Sequence, residues 1–488
     1  MQINLLAEAR GEYRAEFLRA LLAQSNNKID LVLHFGDEKS DFDVPSLMRQ
    51  EAKKAKSGRL FDQQKITGPC LDLLTNKDYE YNLLRYIDQH FRASSKFLSR
   101  SHKMITIHEY IDFYHILASA IADKIIAREV THVLFFDIPH LAVDTIIYDV
   151  ARALNLQIII LSQQFPNGVF SCSRIEDVGK MNLELMPRNQ PKDETENTNL
   201  WYMNADWQTK SPTGKLGMKE ILRFYKALLF QDPKSLLNFK FQRTLLSTLS
   251  CTLSQLPHWR SPFNKFFDFN WLEYLYYLTS LQETTLDLTH NYVYVPLHLQ
   301  PEMTTSALGG EYRDQLLMLE RLSAKLPLGW KILVKENPKQ GPFARDPMFF
   351  HRFFRIDNVQ MVAADANTTE LSMKAKLVAT VSGTAALEAV EMGVPSLIFG
   401  NAWFGSMHGV FKFDHTTDIE TISKSKIDTE LVKKQKRYIV DKLYKINIDK
   451  GFFSQVKNFN RHTNACEVGK VLCNILLHGE KLTFRNYD

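Results

Sequence analysis

The chain has 488 residues, 45% hydrophobic and 11% aromatic, which excludes a mostly disordered or fibrous protein and suits two domains of roughly 200–250 residues or three smaller ones. Its 60 Lys and Arg against 55 Asp and Glu leave a net charge of +5, too dilute over this length for a dedicated nucleic-acid binder. The five cysteines, odd in number and without a CxxC pair, indicate neither a disulfide framework nor a zinc site.

A strand is expected over residues 3–6, then a helix through Leu22 and a strand over 30–35 ending in the polar turn Gly36-Asp37-Glu38. The N-terminus acquires charges too early for a signal peptide, and no apolar run approaches the ~20 residues of a spanning helix, so a cytoplasmic protein is expected. Residues 45–128 read as mostly helical, with amphipathic stretches over 79–97 and 108–127. A strand over 131–136 (THVLFF), a helix over 141–154 and a strand over 157–161 (QIIIL) form one βαβ unit, with polar loops over 137–140 and 162–168. Residues 186–215 are polar and aperiodic, an exposed insertion or linker. Helical spacing returns over 216–285 with an aromatic stripe over 263–277, read as core or a helix seam rather than a membrane-facing groove.

The second half alternates regularly. Strands are expected over 292–297, 331–335, 359–362, 377–381 and 395–400, and helices over 311–326, 349–354, 368–375 and 384–392. That alternation means a doubly wound open sheet with its ligand at the carboxyl ends of the strands. Residues 416–488 form a charged helical tail. The fold class is therefore α/β, two Rossmann-like lobes with a central cleft, divided as 1–285, 286–415 and the tail 416–488.

Chemistry concentrates at the strand ends. In LVATVSGTAALEAVEMGVPSLIFG, 377–400, a buried strand runs into Ser382-Gly383-Thr384 and a helix begins. Gly383 lets the backbone approach a ligand, the hydroxyls supply hydrogen bonds, and free amides at a helix start favour an anion such as phosphate. Glu388 lies one turn on, beside Thr384, where a carboxylate suits a ribose hydroxyl pair; the bland alternative is a plain cap and a solvent-facing charge. In KILVKENPKQG, 331–341, a strand delivers Lys335, Glu336 and Asn337 to its tip and Pro338 stops it. A Lys and an amide there would orient a diphosphate or phosphodiester, unless this is an ordinary strand-to-loop transition. In YVPLHLQPEMTTSALGG, 294–310, a strand gives way to His298, Gln300, Glu302, Thr304, Thr305 and Ser306, facing the cleft or forming a polar linker. Trp403, Phe404 and His408 either contact a base or sugar or seal the domain.

In the first lobe, Asp137, His140 and Asp144 follow THVLFF, and a His with carboxylates at a strand tip suits general-base work. His34, Asp37, Glu38 and Asp41 form a similar cluster; each residue is as readily structural. The basic runs Lys53, Lys54, Lys56 and Lys433, Lys434, Lys436, Arg437 read as solvated helix faces or as contacts to an anionic membrane leaflet.

Together these segments resemble the capsule and surface-polysaccharide biosynthesis glycosyltransferases of Gram-negative bacteria. The residues responsible are PLHLQPEMTTSALGG, VKENP and VATVSGTAALEAVEMGVPSLIFGNAWF, with FDIPHLAVDTIIYDVARALNL in the first lobe. The resemblance implies a GT-B-like fold, with a nucleotide-sugar donor in the second lobe and a glycan or glycolipid acceptor in the first; the charged tail is expected to pack back across both. Some relatives are Kdo transferases using CMP-Kdo, whose donor phosphate meets a His-Pro pair and a Ser/Thr loop. Pro338 and Ser382/Thr384 match that pattern, while Asn337 stands where the His would be, an amide that still donates.

The implied activity is a Leloir-type, metal-independent sugar transfer to a growing capsule, O-antigen or other surface glycan, with CMP-Kdo or a similar CMP-ulosonic acid as one candidate donor. Its expected donor-binding residues are Gln300, Lys335, Asn337, Pro338, Ser382, Gly383, Thr384 and Glu388, and its expected catalytic residues Asp137, His140, Asp144 and Glu302. A first-lobe base is needed if the reaction inverts, a carboxylate nucleophile if it retains by double displacement. No metal, no cofactor beyond the donor and no nucleic-acid partner are expected; contact with the inner face of the cytoplasmic membrane is an option. A nucleotide-sugar epimerase, a polyol-phosphate transferase on the same fold, or a non-catalytic capsule-assembly subunit are the alternatives.

Overall fold

The strands are short, nearly continuous apolar runs, the pattern of parallel sheets covered on both faces. The computed structural model describes residues 2–36, 41, 42, 107–187, 278, 282, 283, 288–338, 340, 345, 347–363 and 366–485. Asp37, Glu38, the 53–56 basic run, most of the 186–215 insertion and the 263–277 aromatic stripe lie outside the described residues.

The first lobe runs β1 (Ile3–Glu8), α1 (Gly11–Gln24), β2 (Ile29–Phe35), α2 (Ile107–Ala127), β3 (His132–Phe135), α3 (Ala142–Ala153), β4 (Gln157–Phe165) and β5 (Gly168–Cys172). Its sheet has the order β2-β1-β3-β4-β5, parallel except for the last pair. The chain leaves β1 toward β2 and returns to place β3 on the other side, so the switch point lies between β1 and β3. The loop expected over 162–168 is instead a hairpin between β4 and β5. Pro166 and Asn167 form its two-residue turn, the proline with its fixed φ at the first position and Asn167, at φ 57°, in the left-handed region that Asn tolerates at the second.

The second lobe contains β6 (Gln282–Glu283), β7 (Tyr292–Pro296), α4 (Gln315–Ala324), β8 (Lys331–Lys335), α5 (Pro347–Phe353), β9 (Val359–Val362), α6 (Thr368–Lys374), β10 (Leu377–Thr380), α7 (Ala385–Glu391), β11 (Ser396–Ile398) and β12 (Val410–Lys412). These strands form one parallel sheet in the order β12-β11-β10-β7-β8-β9-β6, with its switch point between β7 and β10. The helix expected over 311–326 starts later because Asp314 accepts from the Leu316 and Leu317 amides and caps α4.

The tail carries α8 (Ile419–Ser423), α9 (Thr429–Asp441), α10 (Lys450–Phe453) and α11 (Arg461–His478), capped by Asp418, Asp428, Asp449 and Asn460. It returns to the first lobe. Tyr444 pairs with Val169 in an antiparallel bridge, and α11 packs on α1 so tightly that a Cβ on Gly469 would lie 2.8 Å from the Ala20 carbonyl carbon. One apolar cluster spans everything, joining Phe135 and Phe170 of the first lobe, Leu308 and Trp403 of the second, and Ile439 of the tail. In the basic run of α9, Lys436 is buried against Glu391 and Lys433 pairs with Glu430, so the run is partly an internal feature. No helix among the described residues is long and apolar enough to cross a membrane.

Candidate active site between the lobes

The carboxyl ends of β7 and β10 meet at a cavity of about 210 Å³ that both lobes line. The polar part of its wall is His298, Thr304, Ser382, Gly383 and Thr384 from the second lobe and Gln164 from the first. The apolar part includes Ile138, Phe170, Trp403 and Phe404. Trp403 stacks edge-on against Phe165 of the β4–β5 hairpin at 5.3 Å between centroids.

In the loop after β10 both hydroxyls bond within the protein. Ser382 Oγ donates to the Thr304 carbonyl at 2.7 Å, tying the two second-lobe loops together. Thr384 Oγ1 donates to Glu388 Oε1 at 3.3 Å, and burial raises the Glu388 carboxyl above its ordinary range. Gly383 has a more specific reason than ligand approach: a Cβ there would lie 2.7 Å from His298 Cε1.

His298 sits on a rigid base. Its amide donates to Gln315 Oε1 at 2.7 Å, its carbonyl accepts from Gln315 Nε2 at 3.1 Å, and its Nε2 lies 2.6 Å from Thr380 Oγ1. Behind it, Arg345 forms a buried ion pair with Glu336 at 2.7 Å and donates to Gln300 Oε1 at 3.3 Å. Burial, reinforced by the Arg345 charge, pushes the His298 imidazole down to about 4, so it is neutral at physiological pH.

Several expected donor contacts lie away from this cavity. Gln300 is buried in the network with Gln315, Gln340 and Arg345, where it holds the loop in place. Lys335 Nζ donates to the Ala366 carbonyl at 2.5 Å, on the β9 side of the sheet. Asn337 donates its amide to Glu336, and Pro338 is exposed; neither lines the cavity. Glu302 caps the turn Met303–Ala307 in a reciprocal capping box with Thr305. His408 accepts from the Asp428 amide through Nε2, sealing α9 to the lobe, whereas Trp403 and Phe404 do line the cavity.

The first-lobe cluster lies at the other switch point. Glu8, at the end of β1, is buried, ion-paired with Arg14, and accepts from the Phe136 amide at 2.9 Å. Arg10 donates to Asp144 at 3.1 and 3.3 Å; burial opposes the guanidinium charge, but Asp144 and Glu8 outweigh it and raise its proton affinity. Burial raises the Asp137 carboxyl, partly offset by His140 and Arg14, while Asp137 Oδ1 accepts from the Ile138 amide at 2.8 Å and Ser162 Oγ at 3.2 Å. His140 Nδ1 lies 2.7 Å from the Ile138 carbonyl, which assigns the proton to Nδ1 and leaves Nε2 as an acceptor. Ile138 itself lines the cavity. His34 pairs with Asp41 at 2.9 Å beside the edge strand β2, and neither lines the cavity. Among the described residues no group of three or more His, Cys, Asp or Glu side chains is placed to hold a metal ion.

Two doubly wound lobes that share a cavity, set at the switch point of the second lobe and closed on the first-lobe side by Ile138 and the β4–β5 hairpin, define a GT-B-like α/β protein. Residues 278–450 match the profile of the capsule polysaccharide biosynthesis protein family, so the second lobe and the first helices of the tail carry that family's sequence pattern. No curated protein matches the chain. Among solved structures it is similar to the beta Kdo 2,4 transferase KpsC of Thermosulfurimonas dismutans, at 12% identity and TM-score 0.26, covering 63% of this chain and 79% of that one. It is also similar to UDP-GlcNAc 2-epimerase from Methanocaldococcus jannaschii, at 12% identity and TM-score 0.21, covering 98% of this chain and 100% of that one. At such values these likenesses add nothing to what the strand orders establish.

Proposed function

We propose that this protein is a glycosyltransferase of surface-polysaccharide assembly, holding a nucleotide-sugar donor against the second lobe and an acceptor against the first. The observation that carries this reading is the cavity itself, which sets the Ser382-Gly383-Thr384 loop of the second lobe against Ile138, Gln164 and Phe170 of the first; Asp137, His140 and Asp144 stand beside Ile138 without lining it. The family match over 278–450 supports the capsule assignment, and a CMP-ulosonic acid such as CMP-Kdo is one candidate donor.

In a single displacement, the acceptor oxygen bonds to the sugar carbon as the bond to the donor phosphate breaks. The bond pair leaves on the phosphate, and the hydroxyl proton passes to His140 Nε2, the acceptor left open by the Ile138 carbonyl contact. Asp137 and Asp144, close enough to interact with His140 electrostatically, stabilise the imidazolium that forms. Charge developing on the phosphate meets the backbone amides of the loop after β10. Nucleotide-sugar binding takes place on the cytoplasmic side in this reading, with the growing glycan presented from the inner membrane surface.

The test is a thermal-shift screen of CMP, UDP, GDP, ADP and TDP, followed by transfer assays with the donor it selects. His140→Ala is expected to lower turnover by roughly 10²–10⁴-fold, the usual share of a general base, with nucleotide binding intact. Full turnover in His140→Ala would remove the base assignment, and conversion of the nucleotide sugar without acceptor would favour an epimerase.

A further inference from the structure

His298 lines the cavity next to Ser382-Gly383-Thr384, and its ring packs over the space a side chain at 383 would need. Thr380 is fully buried, and His298 Nε2, at 2.6 Å, is the acceptor its side chain is given. A buried hydroxyl donates its one hydrogen where an acceptor is offered, so Nε2 accepts and the ring proton lies on Nδ1. Among the described residues that Nδ1 has no partner. The backbone of His298 is meanwhile clamped on both sides by Gln315, which leaves the ring little freedom to turn away.

We propose that His298 is a substrate-contacting residue that donates a hydrogen bond from Nδ1 to an anionic oxygen of the donor phosphate, with Thr380 as the positioning residue that fixes this tautomer. The inference rests on the donor-site reading given above. No proton is transferred: the imidazole keeps its Nδ1 hydrogen throughout, and the phosphate leaves with the bond pair from the sugar carbon. A neutral donor of this kind, held in place before the charge appears, stabilises the leaving group without competing for the acceptor's proton.

The two amide side chains separate the two ring nitrogens. In His298→Asn the side-chain N–H₂ falls near the position of Nδ1, and in His298→Gln near that of Nε2. Affinity for the nucleotide chosen by the thermal-shift screen is measured by titration calorimetry on the full chain. His298→Asn is expected to bind within a few-fold of wild type, whereas His298→Gln and His298→Ala are expected to weaken binding by roughly tenfold or more, the loss of one hydrogen bond to a charged acceptor. Thr380→Val keeps the shape of its residue and frees the tautomer, and is expected to weaken binding by an intermediate factor; it serves as the readout if the His298 variants fail to fold. Equal affinity in all four variants overturns the proposal, as does tight binding by His298→Gln with loss in His298→Asn. Absence of nucleotide binding by the wild type removes the donor site and this contact together, which distinguishes failure of the functional reading from failure of the tautomer assignment.

Discussion

His298 illustrates how surroundings redefine a residue that sequence alone presents as an ordinary titratable side chain. Its value falls from 6.5 to about 4 because burial disfavours the imidazolium and Arg345, paired to Glu336, adds a like charge nearby. Between these two values the unfolded chain holds a proton at this site and the folded chain does not, so stability rises with pH across the window and is lost on acidification through it. The expected slope is up to about 1.4 kcal/mol per pH unit. Asp137 and Asp144, raised by burial, act with the opposite sign, so the informative quantity is the difference between wild type and His298→Asn, which retains both carboxylates. Urea unfolding at pH 6.5, 5.5 and 4.5 measures it, and a difference that stays constant would show that His298 titrates normally. The Ser-Gly-Thr triplet was legible because a buried strand, a glycine and a helix start fix its position without reference to the rest of the chain. Lys335 turns toward the Ala366 carbonyl and Asn337 lies off the cavity, because periodicity puts a residue at a strand tip but does not say toward which neighbouring strand its side chain turns.

At the scale of elements, the β4–β5 hairpin is where local sequence was underread. Phe165-Pro166-Asn167-Gly168 is a turn signal between two apolar runs, yet its polar neighbours Gln163 and Gln164 suggested a loop. Those polar residues have partners that no local pattern reveals. Gln163 Nε2 and the Asn167 amide both donate to Asn447 Oδ1 at 2.8 Å, and Asn447 Nδ2 returns a bond to Asn167 Oδ1 at 2.7 Å. Asn447 belongs to the tail, some 280 positions away in sequence. It is buried, so Asn447→Ala leaves donors on the hairpin without an acceptor, at an expected cost of about 1–3 kcal/mol. The same change loosens the strand that presents Gln164 to the cavity. Lower urea midpoint together with weaker nucleotide affinity is the expected pair of results, with Asn447→Asp, which keeps the acceptor, intermediate in both. Unchanged nucleotide affinity despite lost stability would mean that the hairpin is braced independently of the site.

The whole molecule is organised around a seam that neither lobe's pattern announces. Alternating strands and helices made two doubly wound sheets legible, but periodicity within each half says nothing about how the halves meet. The meeting is close: Gly179 holds φ at 84°, and a Cβ there would lie 1.8 Å from the Ala402 carbonyl oxygen. Ser406 Oγ donates to the Gly179 carbonyl at 2.6 Å, and Asn401 Nδ2 donates to the Ile175 carbonyl at 3.3 Å. Trp403, buried beside Phe165 and Phe404, fills the space behind these contacts. Because one apolar cluster runs through both lobes and the tail, neither lobe exposes its half of the seam without exposing the other's. The wild type is therefore expected to unfold in a single calorimetric transition, with calorimetric and van't Hoff enthalpies in agreement. Gly179→Ala places a methyl where backbone already stands, in a conformation that side chains rarely adopt, so the lobes must part locally. Its expected scan shows a lower midpoint and a broadened or divided transition. A ligand that bridges the seam acts in reverse: at a hundred times its Kd it adds about 2.7 kcal/mol to the folded state. A nucleotide that contacts only the second lobe stabilises one component of the divided transition in Gly179→Ala, whereas a donor and acceptor bound together raise both. Two resolved transitions in the wild type, unaffected by Gly179→Ala, would show that the lobes fold independently and that the cavity between them is not held by a common core.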